Sequence, residues 1–112
     1  MSLTFSDYQS RANTTARYPG QGEFMGLTYA VLGLNGEAGE CAERVKKTWR
    51  DDGELTERNR ELLVKEIGDT LWYTAALATE LGVDLGDVAQ ANIVKCTDRE
   101  ARGVIGGEGD ER

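Results

Sequence analysis

Two pairs of acidic residues are the part of this sequence whose types and spacing suit chemistry. Glu37 and Glu40 are three residues apart, and so are Glu66 and Asp69. Side chains at this spacing project from the same face of a helix. Four carboxylates gathered from two helices repel one another unless a cation lies among them. Mg²⁺ prefers such oxygen ligands and commonly binds substrate phosphates as well, so the pattern indicates metal-dependent phosphate chemistry.

A solvated helix surface is the alternative interpretation of each pair, because Glu is a good helix former and is usually exposed. Glu37 and Glu40 nevertheless interrupt a run of Leu, Gly, Ala and Cys, which predicts that their face is partly buried. Both pairs also lie near the middle of helical segments joined by one turn, where antiparallel packing would bring them together. Other charges, such as Arg44 and Lys47, are available for the solvent-exposed surface.

Composition limits the classes of partner. The chain has 112 residues, of which 39% are hydrophobic and 29% charged, as expected for one small soluble domain. Its net charge of −7 disfavours nucleic-acid binding, which requires a clustered basic face. No apolar run approaches the roughly 20 residues that span a bilayer, and the N-terminus has neither a basic leader nor an apolar signal core. We therefore expect a cytoplasmic protein without a membrane or nucleic-acid partner.

The sequence contains two cysteines and no histidine. The absence of histidine excludes His-based triads, His-ligated zinc and di-iron bundles that require Glu-x-x-His. Cys41 and Cys96 are predicted to be small buried apolar groups, because a cytosolic disulfide is rare. Catalysis would therefore depend on carboxylates, Lys, Arg, Asn, Tyr and metal.

Breaks around Pro19, Gly53 and Gly82 divide the chain into four helical segments without any alternating strand pattern. Thr4 and Asp84 are candidate N-caps. We predict an all-α fold, an antiparallel bundle of about four helices completed by oligomerisation. The predicted domain covers residues 1–102, and a Gly-rich charged tail covers residues 103–112. The four helices are expected at about residues 5–16, 24–49, 56–81 and 85–102.

The apolar residues at helical spacing form the predicted core. The second helix also carries Gly33, Gly36 and Gly39, and Gly68 lies between the acids of the third. An interior glycine costs about 1 kcal/mol relative to alanine, so these glycines need a structural reason. We expect that reason to be close approach of another helix rather than direct contact with a ligand. The predicted core residues are Phe5, Tyr8 and Ala12; Leu27, Val31, Leu34, Ala38, Cys41 and Val45; Leu63, Ile67, Thr70, Leu71 and Thr74; and Val88, Ala91 and Cys96.

Glu37-x-x-Glu40, followed one helix later by Glu66-x-x-Asp69, resembles the acidic signature of the MazG-like nucleotide pyrophosphohydrolases, an all-α family. The surrounding residues 33–40 and 66–73 are also similar to that family. The ending Gly-Asp-Glu-Arg at residues 109–112 resembles the Gly-Asp-x-Arg tail of some small bacterial and phage members. The resemblance covers nearly the whole chain and is weakest in the N-terminal helix.

The resemblance implies Mg²⁺-dependent hydrolysis of a nucleoside triphosphate, NTP or dNTP, between its α and β phosphates, with Mn²⁺ as a substitute metal. It implies that the four acidic residues are the metal ligands and the catalytic groups. The proton of the attacking water would go to one of these acids or to Glu43; the residues leave that choice open. By the same resemblance, the substrate-binding residues are Asn92, Lys95, Arg99 and Tyr73.

Several further expectations concern the surroundings of the site. Trp72 is expected in the core or a subunit interface rather than stacked on a base. Relatives that act on phosphoribosyl-ATP carry His where Tyr73 stands, which disfavours a role in histidine biosynthesis. Lys46 and Lys47 are expected in solvent, and Arg112 is expected to be poorly ordered. The tail is hypothesised to fold over bound triphosphate, in which case deletion of residues 106–112 must weaken substrate binding.

Small members of the family commonly form homodimers or homotetramers in which neighbouring subunits complete each pocket, so the resemblance implies such an assembly here. The alternative from another class is a non-catalytic helical interaction module whose acids bind structural metal or solvent. Release of pyrophosphate from an NTP panel with Mg²⁺ separates the two hypotheses.

Overall fold

The computed structural model describes residues 2–112 and is all-α, with no strand among those residues. The predicted helix order is confirmed. None of the described helices is both long and apolar enough to cross a membrane. The four helices are α1 (Phe5–Asn13), α2 (Phe24–Asp51), α3 (Glu57–Glu80) and α4 (Leu85–Arg102).

Local capping explains where the helices begin. Thr4 accepts a hydrogen bond from the Asp7 amide at 3.0 Å, and the Asp7 carboxylate accepts one from the Thr4 amide at 3.3 Å. This reciprocal capping box supplies partners for two backbone donors at the start of α1. Thr56 and Asp84 cap α3 and α4, and each side chain accepts one backbone hydrogen bond. The predicted N-caps at Thr4 and Asp84 are therefore confirmed.

The first helix is shorter than predicted, since it ends at Asn13 rather than at residue 16. The Thr14 hydroxyl donates to the Arg11 carbonyl at 2.6 Å, and the Thr15 hydroxyl donates to the Ala12 carbonyl at 2.9 Å. Such side-chain bonds offer the backbone an alternative to the next helical turn. Helix α1 therefore stops one turn before the predicted end.

Cross-helix contacts show that α1 and α2 each pack antiparallel to α3. The ring of Tyr73 on α3 lies against Gly33 of α2. Arg44 lies further along α2 and contacts Glu66, which is earlier in α3. Helix α1 also runs against α3: Gln9 Nε2 donates to the Thr79 hydroxyl at 3.1 Å, and Trp72 Nε1, earlier in α3, donates at 3.0 Å to the hydroxyl of Thr15, just after α1.

Helix α4 is attached mainly through its first turn. The Ser6 hydroxyl donates to the Asp84 carboxylate at 2.7 Å, and the Leu85 amide donates to Gln9 Oε1 at 2.8 Å. Among residues 2–112, α4 contacts α1 and α3 but not α2. The described chain is therefore an open arrangement rather than a closed four-helix bundle.

The core is built mostly from small residues. It consists of two clusters, and no large side chain of the described residues is fully buried. Trp72 packs against the first cluster, as predicted, and Tyr8 and Ala12 pack against the second. The clusters comprise Ala16, Tyr18, Ala30 and Ala76, and Ala75, Ala78 and Leu85.

The apolar stripes of α2 and α3 were predicted to form the buried core, and this prediction is wrong for the single chain. The residues buried in these helices are instead Gly26, Ala30, Thr48 and three alanines of α3. Among residues 2–112, only α3 packs on α2, so most of the stripe has no partner helix there. The stripe residues left exposed are Val31, Ala38, Val45 and Ile67; Phe5 of α1 is also exposed, and the remaining predicted core residues of α1 to α3 are half-buried.

The predicted inner face of α4 and the predicted burial of both cysteines are also wrong. Val88, Ala91 and Cys96 are exposed, and Cys41 is only half-buried. The residues buried in α4 are Leu85 and Arg99. Because α4 is held near its first turn, most of its length packs on no other helix of the described residues.

The glycines behave differently from one another. A Cβ atom at Gly33 would overlap the Tyr73 ring, so the predicted close helix approach is confirmed there. A Cβ atom at Gly36, Gly39 or Gly68 would have nothing within 4 Å. The prediction of close helix packing is therefore wrong for these three positions within the described chain.

The described chain is expanded for its length. Its radius of gyration is 16.8 Å, whereas a compact domain of this size has about 13 Å. Many large apolar residues are correspondingly exposed, including Phe24 and Trp49 at 80% and 78%. Completion of the fold by oligomerisation stays a prediction.

Candidate metal and phosphate site

Three of the four predicted acidic ligands meet between α2 and α3. One carboxylate oxygen from each of Glu37, Glu66 and Asp69 lies within 4.8 Å of the other two. Glu37 and Glu66 are half-buried, whereas Asp69 is exposed. Oxygens that share one hard cation at 2.0–2.6 Å lie at most about 4 to 5 Å apart, so this acidic trio suits Mg²⁺ after small side-chain movements.

Glu40 lies at the margin of the acidic trio and does not join it. It is one turn after Glu37 and is exposed to solvent. Its charge still acts on the site, because it contributes to the raised pKa of the Glu37 carboxyl. Its role as a fourth ligand stays a prediction.

The surroundings of Glu37 disfavour the ionised form of its carboxyl group. Burial raises its pKa above the usual range, and the negative charges of Asp69 and Glu66 raise it further. A hydrogen bond shared with Glu66 acts in the same direction. The ionised form is therefore disfavoured until a positive charge enters, which is the electrostatic condition for a cation site.

A cation that sequence reasoning assigned to the solvent surface reaches the acidic trio. Arg44 Nη2 lies 3.5 Å from Glu66 Oε1, and the two side chains are only 28% and 16% exposed. The signal in the sequence was weak: Arg44 follows Glu37 by seven residues, which places it two turns along the same helix face.

Two tyrosines border the site. Burial raises the pKa of Tyr73, with contributions from Tyr29 and then from the charges of Glu37 and Asp69. Burial and the charge of Asp69 likewise raise the pKa of Tyr8. Tyr73 thus lies beside the acids as predicted, and its contact with substrate stays a prediction. Tyr8 was predicted only as a core residue of the first helix.

Glu43 is engaged elsewhere. Its carboxylate pairs with Lys46 at 2.9 Å and with Lys47 at 3.3 Å, and these bonds hold its pKa below the usual range. Both lysines are more than half exposed, as expected. Glu43 is therefore the weaker candidate for the general base, because its carboxylate is held by two ammonium groups outside the acidic trio.

The predicted phosphate-binding cations of α4 are paired with the tail. Lys95 Nζ lies 2.7 Å from the Asp110 carboxylate, and Arg99 Nη2 lies 3.2 Å from the same oxygen. Arg99 is buried, whereas Asn92 is exposed. Among residues 2–112, no hydrogen bond or ion pair joins these three residues to the acidic trio, so their place beside it stays a prediction.

The tail is folded back onto α4. Arg112 donates to the carbonyls of Val104, Ile105 and Gly109, and its poor order stays a prediction. Closure of the tail over a triphosphate stays a prediction. Closure would first require the Asp110 carboxylate to separate from Lys95 and Arg99.

Comparison with known proteins identifies the family of this chain. Residues 27–104, which include the acidic trio and α4, match the MazG nucleotide pyrophosphohydrolase domain. The chain is also similar to the Gene 37 protein of Mycobacterium phage L5, with 50% identity over 109 residues, 94% of this chain and 96% of the phage protein. No solved structure matched the chain. The extent of the domain match establishes that this chain belongs to the MazG nucleotide pyrophosphohydrolase family.

Proposed function

We propose that the protein is an Mg²⁺-dependent nucleoside triphosphate pyrophosphohydrolase that removes unwanted NTPs or dNTPs. The observation that carries the proposal is the convergence of Glu37, Glu66 and Asp69 within the segment that matches the family. In the reaction, a water oxygen bonds to the α phosphorus and the bond to the bridging oxygen breaks. The products are a nucleoside monophosphate and pyrophosphate.

The acidic trio would hold Mg²⁺, with Mn²⁺ as a substitute, and Glu40 would join it through a change of rotamer. The ion neutralises phosphate charge and makes water more acidic when it is bound. The trio also supplies carboxylates that accept the proton released by water. Oxygen-only donors and the raised pKa of Glu37 support this assignment.

The outer phosphates would be held by Lys95 and Arg99, with Asn92 on the same helix. Because α4 does not contact α2 among residues 2–112, we propose that a second copy of the chain brings α4 to the acidic trio. A homodimer or homotetramer would provide this arrangement. The exposed apolar stripe of α2 and α3 supports it.

The test is an assay of purified protein against a panel of NTPs and dNTPs, with Mg²⁺ or with EDTA. We expect equal amounts of monophosphate and pyrophosphate, with Mg²⁺ required. Reaction in ¹⁸O-labelled water should place the label in the monophosphate, since the α phosphorus is attacked. Absence of pyrophosphate with every nucleotide, together with a melting temperature that Mg²⁺ does not change, would favour the non-catalytic interaction module.

A further inference from the structure

Arg44 occupies an unusual position for a residue on a surface helix. It reaches from α2 across to Glu66 on α3, and about a quarter of its side chain is exposed. Among the described residues, it is the one cation that forms an ion pair with the acidic trio. Lys95 and Arg99 are instead bound to Asp110 in the tail.

The guanidinium is poorly satisfied in this position. Its single bond to Glu66 is long, at 3.5 Å, and the buried Nε has no hydrogen-bond partner. A buried donor without a partner is unfavourable, because it has lost its hydrogen bonds to water. The guanidinium fork matches the spacing of two phosphate oxygens, which supply more acceptors than one distant carboxylate oxygen.

We propose that Arg44 binds a phosphate group of the substrate beside the acidic trio, with Glu66 as its partner while the site is empty. The inference rests on the proposed function, because it places the triphosphate at Glu37, Glu66 and Asp69. It adds a phosphate contact from the same chain that carries the acids. With Mg²⁺ held by the trio, the charge of Glu66 would be neutralised and the Arg44 guanidinium would be free to contact phosphate.

This role predicts effects of opposite sign on two ligands. Arg44 competes with a divalent cation for Glu66, so loss of its charge should strengthen binding of the metal alone. The same loss should weaken binding of a polyanion, because a charge-assisted hydrogen bond to phosphate disappears. A purely structural role would weaken both ligands together.

The experiment is calorimetric titration of Arg44→Ala with Mn²⁺ alone, and then with inorganic pyrophosphate at saturating Mg²⁺. We expect Mn²⁺ to bind about two- to tenfold more tightly and pyrophosphate to bind about tenfold or more weakly, the equivalent of a lost charged hydrogen bond. Arg44→Lys should restore metal binding to the original value but only part of pyrophosphate binding, because an ammonium lacks the fork. Where Arg44→Ala does not fold, Arg44→Gln retains the packed stem.

The matched control is Lys47→Ala, which removes an exposed charge from the same helix and should change either affinity less than twofold. In nucleotide hydrolysis, Arg44→Ala should raise KM about tenfold with a smaller change in kcat. Weakening of both ligands by Arg44→Ala, or unchanged pyrophosphate binding, would overturn the inference. If the original protein hydrolyses no nucleotide but the opposite shifts are observed, the proposed function fails and the Arg44 phosphate site stands.

Discussion

Repulsion among Glu37, Glu66 and Asp69 defines the chemistry of the site at the scale of single residues. Their oxygens lie within 4.8 Å of one another without enough nearby positive charge to balance them. Arg44 offsets part of this charge from one side. This repulsion lowers the free energy of unfolding without metal, and a bound cation would relieve it and stabilise the folded chain.

The Asp69→Asn substitution tests this trade between stability and activity. It removes a ligand charge and also relieves repulsion, so turnover should fall by about 100-fold or more while the melting temperature without metal stays equal or rises. Pyrophosphate release and thermal unfolding measure the two effects. Glu61→Gln, an exposed residue on the same helix, serves as the control and should retain activity. Full activity in Asp69→Asn would show that the metal site is wrongly assigned.

The contact between Gly33 and Tyr73 gives a second prediction at this scale. Gly33→Ala places a methyl group in the Tyr73 ring, so the free energy of unfolding should fall by about 1 to 3 kcal/mol. Gly36→Ala is the control, because its methyl group meets open space and alanine favours the helix by up to about 1 kcal/mol. Urea unfolding of both variants at low protein concentration measures the difference. Equal effects would contradict the close approach of α2 and α3.

At the scale of elements, Glu80 joins the end of α3 to the loop before α2. Its carboxylate accepts from the Tyr18 hydroxyl at 2.6 Å and from the Gly22 amide at 3.0 Å. Burial raises the pKa of Tyr18 to about 12, and the hydrogen bond to Glu80 and its charge act in the same direction. This bond fixes the path of the chain into the helix that carries Glu37.

The raised pKa predicts loss of stability at high pH. An unfolded tyrosine has a pKa of about 10, so the contribution of Tyr18 is fully present below pH 10 and is lost as the pH rises toward 12. Tyr18→Phe should lower the free energy of unfolding at pH 7 by about 1 to 3 kcal/mol. The gap between the two proteins should close between pH 10 and 12, as followed by urea unfolding. A gap that stays constant across this range would contradict the assignment.

The helices were predictable from the sequence to within a few residues because their signals are local. Thr4 and Asp84 cap the helices that follow them, and the breaks at Gly53 and Gly82 need only nearby residues. The buried faces were not predictable, because a stripe such as Val31 to Val45 is buried only if a partner helix covers it. Periodicity shows that a face is apolar but does not show what packs there.

The candidate site was predictable to a similar degree. The acidic spacing and the resemblance identified Glu37, Glu66 and Asp69, which the fold brings together. The position of Glu40 at the margin and the approach of Arg44 depend on the register between α2 and α3. That register is set by contacts such as Gly33 with Tyr73, which are not local in sequence.

At the scale of the whole molecule, a long apolar surface runs along α2 and α3. Contiguous apolar patches of this kind mark interaction sites. Ile67 belongs to this surface and is 59% exposed. The surface comprises two clefts, one lined by Ala38, Cys41, Ile67, Thr70, Leu71 and Thr74, and a second lined by Val45, Thr48, Trp49, Gly53, Glu54, Leu55 and Leu63.

The proposed assembly predicts that this surface is covered by a second copy of the chain. Trp49→Ser should shift the protein toward monomer, lower the melting temperature and make it depend more strongly on protein concentration. Sedimentation velocity and thermal unfolding at several concentrations measure these effects. Phe24→Ser is the control, because Phe24 is equally exposed but lies outside the surface. A monomeric original protein with full activity would refute the assembly.

The approach of Gly33 to Tyr73 also has an evolutionary consequence. Any side chain at residue 33 meets the Tyr73 ring, so the ring or the helices must shift to accept it. Substitutions at the two positions are therefore expected to be coupled, because a bulkier group at one costs less stability after the other becomes smaller. A divergent descendant that replaces Tyr73 by a small residue gains freedom at residue 33, and a new pocket wall can then evolve beside the acids.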